Sequence, residues 1–320
     1  MKRCPLTYDL LSSDRLFAGG PSSSEIYSQR GLRQISARLT KLNILPFTAQ
    51  QLQTEAMARA PKMSIQGVQP KLSARLNVKK SCFEIADSGG TYILKPPHAL
   101  YVSLPENEDL TMRLAASINI ETPLHGLLYA SDGSLTYFIK RFDRFGRSKK
   151  RMQEDFAQLT GKTRDTKYDS SIEQVIGVIN KYCTFPAVER LKLFRIIIFS
   201  FLIGNEDMHL KNFSLLSRDG LIGLSPAYDL LNTTLALPNA VEESALPLNG
   251  KKRKLNRSDF ISYLGAERLE LNSNLIDLEL ATIAAAQENW VDLISRSFLS
   301  QNLKDLYLKL IQERRMRLQI

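Results

Sequence analysis

Only three cysteines occur in the 320-residue sequence, Cys4, Cys82 and Cys183, and no two of them form a CxxC pair. That scarcity excludes a disulfide framework and zinc-ribbon sites, and a reducing, cytoplasmic setting is expected. Histidine is as rare: His98, His125 and His209 stand without HExxH or any paired metal spacing, which argues against zinc hydrolysis. No G-x-S-x-G elbow is present, which disfavours an α/β-hydrolase. Gly161-Lys162-Thr163 fails as a P-loop because the earlier glycine it requires would stand at position 156, which is Phe156. The longest apolar run, Ile196 to Ile203 with Ser200 inside it, is far short of the roughly 18 residues of a membrane span, so it reads as a buried helix. The first residues, MKRCPLTYDLLSSD, break their apolar stretch at Thr7, Tyr8 and Asp9, and neither a secretion signal nor a membrane partner is expected.

What is present is an ordinary globular composition, 43% hydrophobic and 24% charged. A chain of this length buries about 75% of its unfolded surface, enough for one large or two medium cores. The net charge of +10 is uneven: six basic residues fall between Arg141 and Arg151, four more run from Lys251 to Lys254, and Arg314, Arg315 and Arg317 lie near the end. Charge alone names no partner, and a solvated face is the plainer reading of each cluster.

Gly19 to Ser24, GGPSSS, reads as a flexible linker. From Leu72 to Lys95, short alternating segments (KLSARLNV, CFEIA, TYILK) predict a small antiparallel sheet. Acidic residues at Glu106, Glu108 and Asp109 start a helix through LTMRLAASI, and LTYFIKRF follows the Asp132-Gly133 turn as a strand. Beyond Arg144 helices are expected over 171–182, 186–203, 256–264, 275–294 and 303–317, with a hairpin of FSLLS and LIGLS about Arg218-Asp219-Gly220. Trp290 falls in a helical pattern and reads as core.

The most informative stretch is Gly204 to Leu216, GNEDMHLKNFSLL, between the buried helix and the hairpin. Asp207 and Asn212 stand five apart, the spacing by which a kinase catalytic loop places an aspartate on the substrate hydroxyl and an asparagine on magnesium. Asp229, beyond the hairpin, is the second candidate magnesium ligand, although Leu230-Leu231 replaces the Phe-Gly of ordinary kinases. Alone, D-x4-N is more often a turn closed by its own side chains. Lys95, ending its strand, is a candidate phosphate-binding lysine, with Glu108, Glu106 and Asp109 as competing ion-pair partners. In Met63 to Ser73, Gly67, flanked by Gln66 and Val68, would let backbone N–H groups approach phosphate.

Taken together, SIQGVQPKLS, YILKPP, FIKRFDR, MQEDFAQLTG, GNEDMHLKNFSLL and LSPAYDLLNT resemble, in order and interval, the HipA-like serine/threonine kinase toxins of bacterial toxin–antitoxin systems. The resemblance runs from about Ser64 onward. It implies an α+β, bilobal protein-kinase-like fold: an N-terminal segment 1–63 and a sheet-rich N-lobe 64–142, then a larger helical C-lobe 143–320, with ATP and Mg2+ held between the lobes. Lys95 becomes the phosphate-binding lysine, Asp207 the catalytic base, and Asn212 and Asp229 the magnesium ligands. His209, Lys211 and Tyr228 line the nucleotide site, Lys140, Arg141 and Phe142 form the adenine-holding linker, and Gln153 belongs to the block that follows. Ser64 in the phosphate loop is the expected autophosphorylation site, with Ser73 and Ser81 as competitors; a phosphate adds about −1.5 to −2 charges to a site built for phosphates and would expel the loop.

Only 63 residues precede Ser64, which resembles the short branch called HipT, in which a separate small protein, HipS, replaces a missing subdomain. The implied partners are HipS-like and HipB-like proteins, with DNA reached through the HipB-like antitoxin or the basic patches, and an aminoacyl-tRNA synthetase as substrate. Two rival readings are a small-molecule phosphotransferase of the antibiotic-kinase kind and an inactive basic scaffold that binds antitoxin and DNA.

Overall fold

The structure is a computed structural model that describes residues 2–11, 26–59, 69–146, 149–237 and 241–320. The chain divides into two compact units, Met1–Leu110 with Pro123–Arg141 and Ser295–Leu299, and Thr111–Thr122 with Phe142–Ile294 and Ser300–Ile320. The GGPSSS stretch and the phosphate-loop residues Ser64, Gln66, Gly67 and Val68 lie outside the described residues.

The first unit opens with two helices, α1 (Gln29–Ile35) and α2 (Ala49–Arg59), neither marked by strong periodicity in the sequence. Ser28 caps α1 by accepting from the Gly31 N–H at 3.1 Å, a contact of the kind that contributes about 1 kcal/mol. The strands are β1 (Leu72–Asn77), β2 (Cys82–Ile85) and β3 (Tyr92–Lys95), then, after helix α3 (Leu104–Ser117), β4 (His125–Tyr129) and β5 (Leu135–Lys140). They form one antiparallel sheet in the order β2-β1-β3-β5-β4. Leu72, Ala74, Tyr92, Leu94 and Phe138 share a core with Leu32, Leu42, Leu52 and Ala56, the buried residues that α1, α2 and their connection bring to the sheet. Since side chains alternate along a strand, burying Leu94 in that core sends Lys95 to the opposite face.

The second unit carries a two-stranded ribbon, β6 (Arg144–Phe145) with β7 (Lys149–Lys150), and a three-stranded sheet in the order β10-β9-β8. In that sheet β8 is Gln153–Asp155, β9 Ser214–Arg218 and β10 Leu221–Leu224. The β9–β10 turn holds Asp219 at φ +51° and Gly220 at φ +84°, the paired left-handed conformation of a tight hairpin. Its helices are α4 (Phe156–Leu159), α5 (Ile172–Tyr182), α6 (Pro186–Leu202), α7 (Thr233–Ala236), α8 (Ser273–Ala285), α9 (Gln287–Arg296) and α10 (Gln301–Leu318). The α6 stretch is buried over nearly all of its second half, and Phe199 meets Trp290 edge to face at 5.7 Å. Trp290 is core, its indole N–H donating to Ser117 Oγ at 2.9 Å. Among the described residues no helix is long and apolar enough to cross a membrane.

Several local expectations change. The helix expected over 275–294 is two: the turn tightens at Ala286, whose N–H bonds to the Ile283 carbonyl, and α9 begins where the Trp290 N–H bonds to Ala286. The helix expected at 256–264 is a wide π-type helix at Asp259–Arg268, because Asp259 accepts from the Asn256 N–H and from Lys251 and holds the preceding residues as a turn. Residues 111–122, placed by sequence with the sheet, group with the second unit, where the Thr111 and Tyr307 hydroxyls bond at 2.8 Å. Residues 295–299 group with the first, where Phe298 meets Tyr8 edge to face.

Candidate active site

In the first unit, Lys95 and Glu108 form an ion pair with Nζ 2.5 Å from Oε1, their side chains 4% and 2% exposed. The lysine also lies 5.6 Å from the Tyr137 ring centroid, its register partner on β5. Of three neighbouring acids the fold selects Glu108. Asp109, one position on and fully buried, takes His125 Nδ1 at 2.8 Å. Glu106 in the first helical turn is pushed up to about 7, first by burial and further by the Asp109 charge, with a backbone N–H opposing. His98 stacks on Tyr101. Arg141, the last residue of the Pro123–Arg141 segment, has its backbone N–H on the Thr91 carbonyl at 2.9 Å, and Lys140 beside it is exposed.

In the second unit the catalytic-loop candidate begins where α6 stops. Gly204 has φ +69°, and a Cβ there would stand 2.5 Å from Leu310 Cδ2 and 2.6 Å from Thr234 Oγ1, so glycine alone fits. The Gly204 carbonyl accepts from the Thr233 N–H at 2.9 Å and the Thr233 hydroxyl at 3.0 Å, while the Glu206 N–H donates to Thr233 Oγ1 at 2.7 Å. The loop is thus fastened to α7 on both sides of Asn205. Burial raises the pKa of the Glu206 carboxyl, against Thr234 at 3.0 Å and Arg314 at 3.4 Å, which hold it down.

The D-x4-N spacing then closes on itself: the Asp207 carbonyl accepts from the His209 N–H at 2.8 Å and from Asn212 Nδ2 at 2.7 Å. With its amide nitrogen committed, Asn212 has Oδ1 left as the atom that could hold a metal ion. Asp229 holds φ +55°, an uncommon conformation for a residue with a side chain, and its charge reaches both Lys167 and His209. An amide oxygen and a carboxylate suit a hard ion such as Mg2+, which takes few protein ligands and completes its shell with water and phosphate oxygens. Such a site needs no cluster of three or more His, Cys, Asp or Glu side chains, and the described residues hold none.

The Asp207 carboxylate is 48% exposed and accepts from the Tyr168 hydroxyl at 2.6 Å. Burial and that bond push the Tyr168 phenol upward, so it stays protonated and donates. His209 is buried; burial holds its pKa below the ordinary value and keeps the ring neutral, with Lys167 Nζ donating to Nε2 at 2.6 Å. Lys211 donates to Asp155 Oδ2 at 2.8 Å, so its ammonium is engaged within the protein. Tyr228 donates to the Lys211 carbonyl at 2.9 Å, bonds Ser214 Oγ at 2.6 Å and sets its ring 5.6 Å from that of Phe142. Gln153 joins the same chain of contacts through Nε2 on Ser214 Oγ at 3.2 Å.

Three members of this site escape sequence reasoning. Asp155 carries a legible signal, since with Gln158 it forms the capping box of α4. Lys167 and Tyr168 carry none: they stand in a polar, aperiodic stretch 40 and 39 positions before Asp207.

A family model described as HipA-like C-terminal domain matches residues 63–291. A Haemophilus influenzae protein named "Putative kinase" is 30% identical over 319 residues, covering 90% of this chain and 91% of that one. The serine/threonine-protein kinase toxin HipA of Shewanella oneidensis is 26% identical over 241 residues, 67% of this chain and 54% of the toxin. Among solved structures, the Shewanella oneidensis toxin–antitoxin complex of HipA, HipB and operator DNA aligns with a TM-score of 0.69 at 21% identity, over 88% of this chain and 74% of that one. That likeness establishes the fold, a mixed α/β architecture of the kinase-like HipA kind.

Proposed function

The chain belongs to the HipA-like C-terminal domain family, a family of kinase-like enzymes, and from that premise we propose that it is an ATP- and Mg2+-dependent serine/threonine protein kinase acting as a toxin. Two matching arrangements carry this reading: the buried Lys95–Glu108 ion pair, and the Asn212 amide fixed on the Asp207 carbonyl. In the proposed roles Lys95 holds nucleotide phosphates, Asp207 takes the acceptor hydroxyl's proton, and Asn212 and Asp229 hold the magnesium ion. Lys140, Arg141, Phe142, Gln153, His209 and Tyr228 complete the nucleotide site; Gln66, Gly67 and Val68 supply the phosphate loop and Ser64 the autophosphorylation site. Lys211 serves through its backbone, since its ammonium is bonded to Asp155.

Serine/threonine specificity is supported by the name of the Shewanella relative, and a HipB-like DNA-binding antitoxin by the complex in which its structural neighbour was solved. The chain spans little more than half of that toxin's length. An aminoacyl-tRNA synthetase as substrate, a HipS-like small partner and a cytoplasmic site of action complete the proposal. The test is intact-mass and peptide mass spectrometry of wild type and Asp207→Gln after incubation with ATP and magnesium. Phosphate on Ser64 in wild type alone is the expected result. No transfer by wild type to itself, or to synthetases offered in turn with a HipB-like antitoxin present and absent, would overturn it.

A further inference from the structure

Resting on that kinase reading, we propose that Lys167 is a further catalytic residue, the cation that neutralises charge on the phosphoryl group as it moves toward the acceptor.

The segment between α4 and α5 is pinned to the catalytic loop itself, the Leu210 N–H donating to the Lys167 carbonyl at 3.3 Å. This delivers the ammonium to the loop, 2.6 Å from His209 Nε2 and 4.8 Å from the Tyr168 ring centroid. Among the described residues Lys167 has no carboxylate in ion-pairing contact, although the charges of Asp207 and Asp229 reach it. A half-buried ammonium whose close partner is an imidazole nitrogen and not a carboxylate is stabilised incompletely. Such a group gains most when an anion arrives, and an anion near Asp207 and Asp229 is the phosphoryl group in transfer.

Elimination points the same way. Lys211, the lysine within the loop, is bonded to Asp155, and Lys95, held by Glu108, already has the nucleotide phosphates as its assigned role. Arg164, whose charge also falls on Lys167, is exposed. In the step, the bond from the γ-phosphorus to its bridging oxygen breaks with the electron pair leaving on ADP. The acceptor oxygen forms the new bond and its proton passes to Asp207. Lys167 exchanges no atom and acts by its charge on the non-bridging oxygens.

The experiment uses the full chain as wild type, Asp207→Gln, Lys167→Met, Lys167→Arg, Lys167→Cys and, as a surface control, Arg164→Met. The readouts are magnesium-dependent ADP release, autophosphorylation by intact mass, and melting temperature. Lys167→Met is expected to lower kcat by about 100- to 1000-fold, as loss of one charge-stabilising donor does, with the ATP KM nearly unchanged. Lys167→Arg should retain part of the rate, and Arg164→Met all of it. Treating Lys167→Cys with 2-bromoethylamine rebuilds a lysine-length ammonium and should recover activity, with wild type treated in parallel to account for the partly exposed Cys82. Lys167→Met turnover within threefold of wild type would sink the role, as would an aminoethylated Lys167→Cys protein of correct mass and normal melting that stays inactive. If wild type and Asp207→Gln release ADP alike, the kinase reading itself fails, and this inference with it.

Discussion

Lys95 in the first unit and Lys167 in the second carry the same charge in different company. Lys95 is closed in: a carboxylate at 2.5 Å, an aromatic ring beneath it and 4% exposure. Lys167 is half open, its close partner a neutral ring and its pKa drawn down first by burial. The difference separates two kinds of electrostatic order. Where the protein neutralises a charge internally, the pair fixes geometry and its disruption is felt as instability. Where neutralisation is left incomplete, the free energy is released when a ligand arrives, and disruption is felt as lost rate.

The largest effect is expected where the first region is opened. Lys95→Met takes the lysine from the buried Glu108 carboxylate, and should cost about 3–5 kcal/mol by urea denaturation. Adding Glu108→Leu should return most of that stability without returning phosphoryl transfer. If Lys95→Met melts like wild type, the pair is no stability element and the contrast with Lys167 collapses.

A second measurement uses Glu106, the largely buried acid two positions before Glu108, whose pKa is pushed up to about 7 from 4.5. Between those values the folded chain holds a proton that the unfolded chain has lost, so stability falls as pH rises, by roughly 3 kcal/mol across the window. Glu106→Gln removes the ionisation, and its stability relative to wild type should grow by that amount from pH 4.5 to above 7. A parallel pair of pH–stability curves would show that the site tolerates the charge.

Smaller effects sharpen the second region. Tyr168→Phe takes one hydroxyl from Asp207 and is worth about 1 kcal/mol, so phosphoryl transfer should change by less than about tenfold, in either direction, at unchanged melting temperature. A loss as deep as that of Asp207→Gln would make Tyr168 an essential part of the chemistry. Smallest is Lys211→Ala, which breaks a partly exposed pair with Asp155 and should cost under about 1 kcal/mol and leave the ATP KM within threefold. A large rise in KM would show that the Lys211 ammonium leaves Asp155 for nucleotide, and the two lysines of this region would have exchanged roles.

Much of the frame is legible in the local sequence pattern. The alternation of KLSARLNV, CFEIA and TYILK became β1 to β3 because a period of two is a local property that one buried face enforces. The Asp219-Gly220 turn was legible because its two left-handed residues are chosen for backbone reasons alone. Helices α1 and α2 were not, since their short apolar pattern acquires meaning only against the sheet they cover. The break at Ala286 was hidden as well, because an alanine-rich stretch has no local reason to stop and the packing of Trp290 supplies one.

By itself the sequence determined the positions at which a chemical spacing could exist: Asp207 and Asn212 five apart, Asp229 past a hairpin, and a lysine closing a strand. Those are short-range facts, held by backbone geometry over a few residues. Tertiary structure alone decided which acid of Glu106, Glu108 and Asp109 meets Lys95, because consecutive helical residues point about 100° apart and only the packed face selects one. It alone brought Lys167 and Tyr168 onto His209 and Asp207. An ion pair or hydrogen bond acts through space and leaves no periodic mark along the chain.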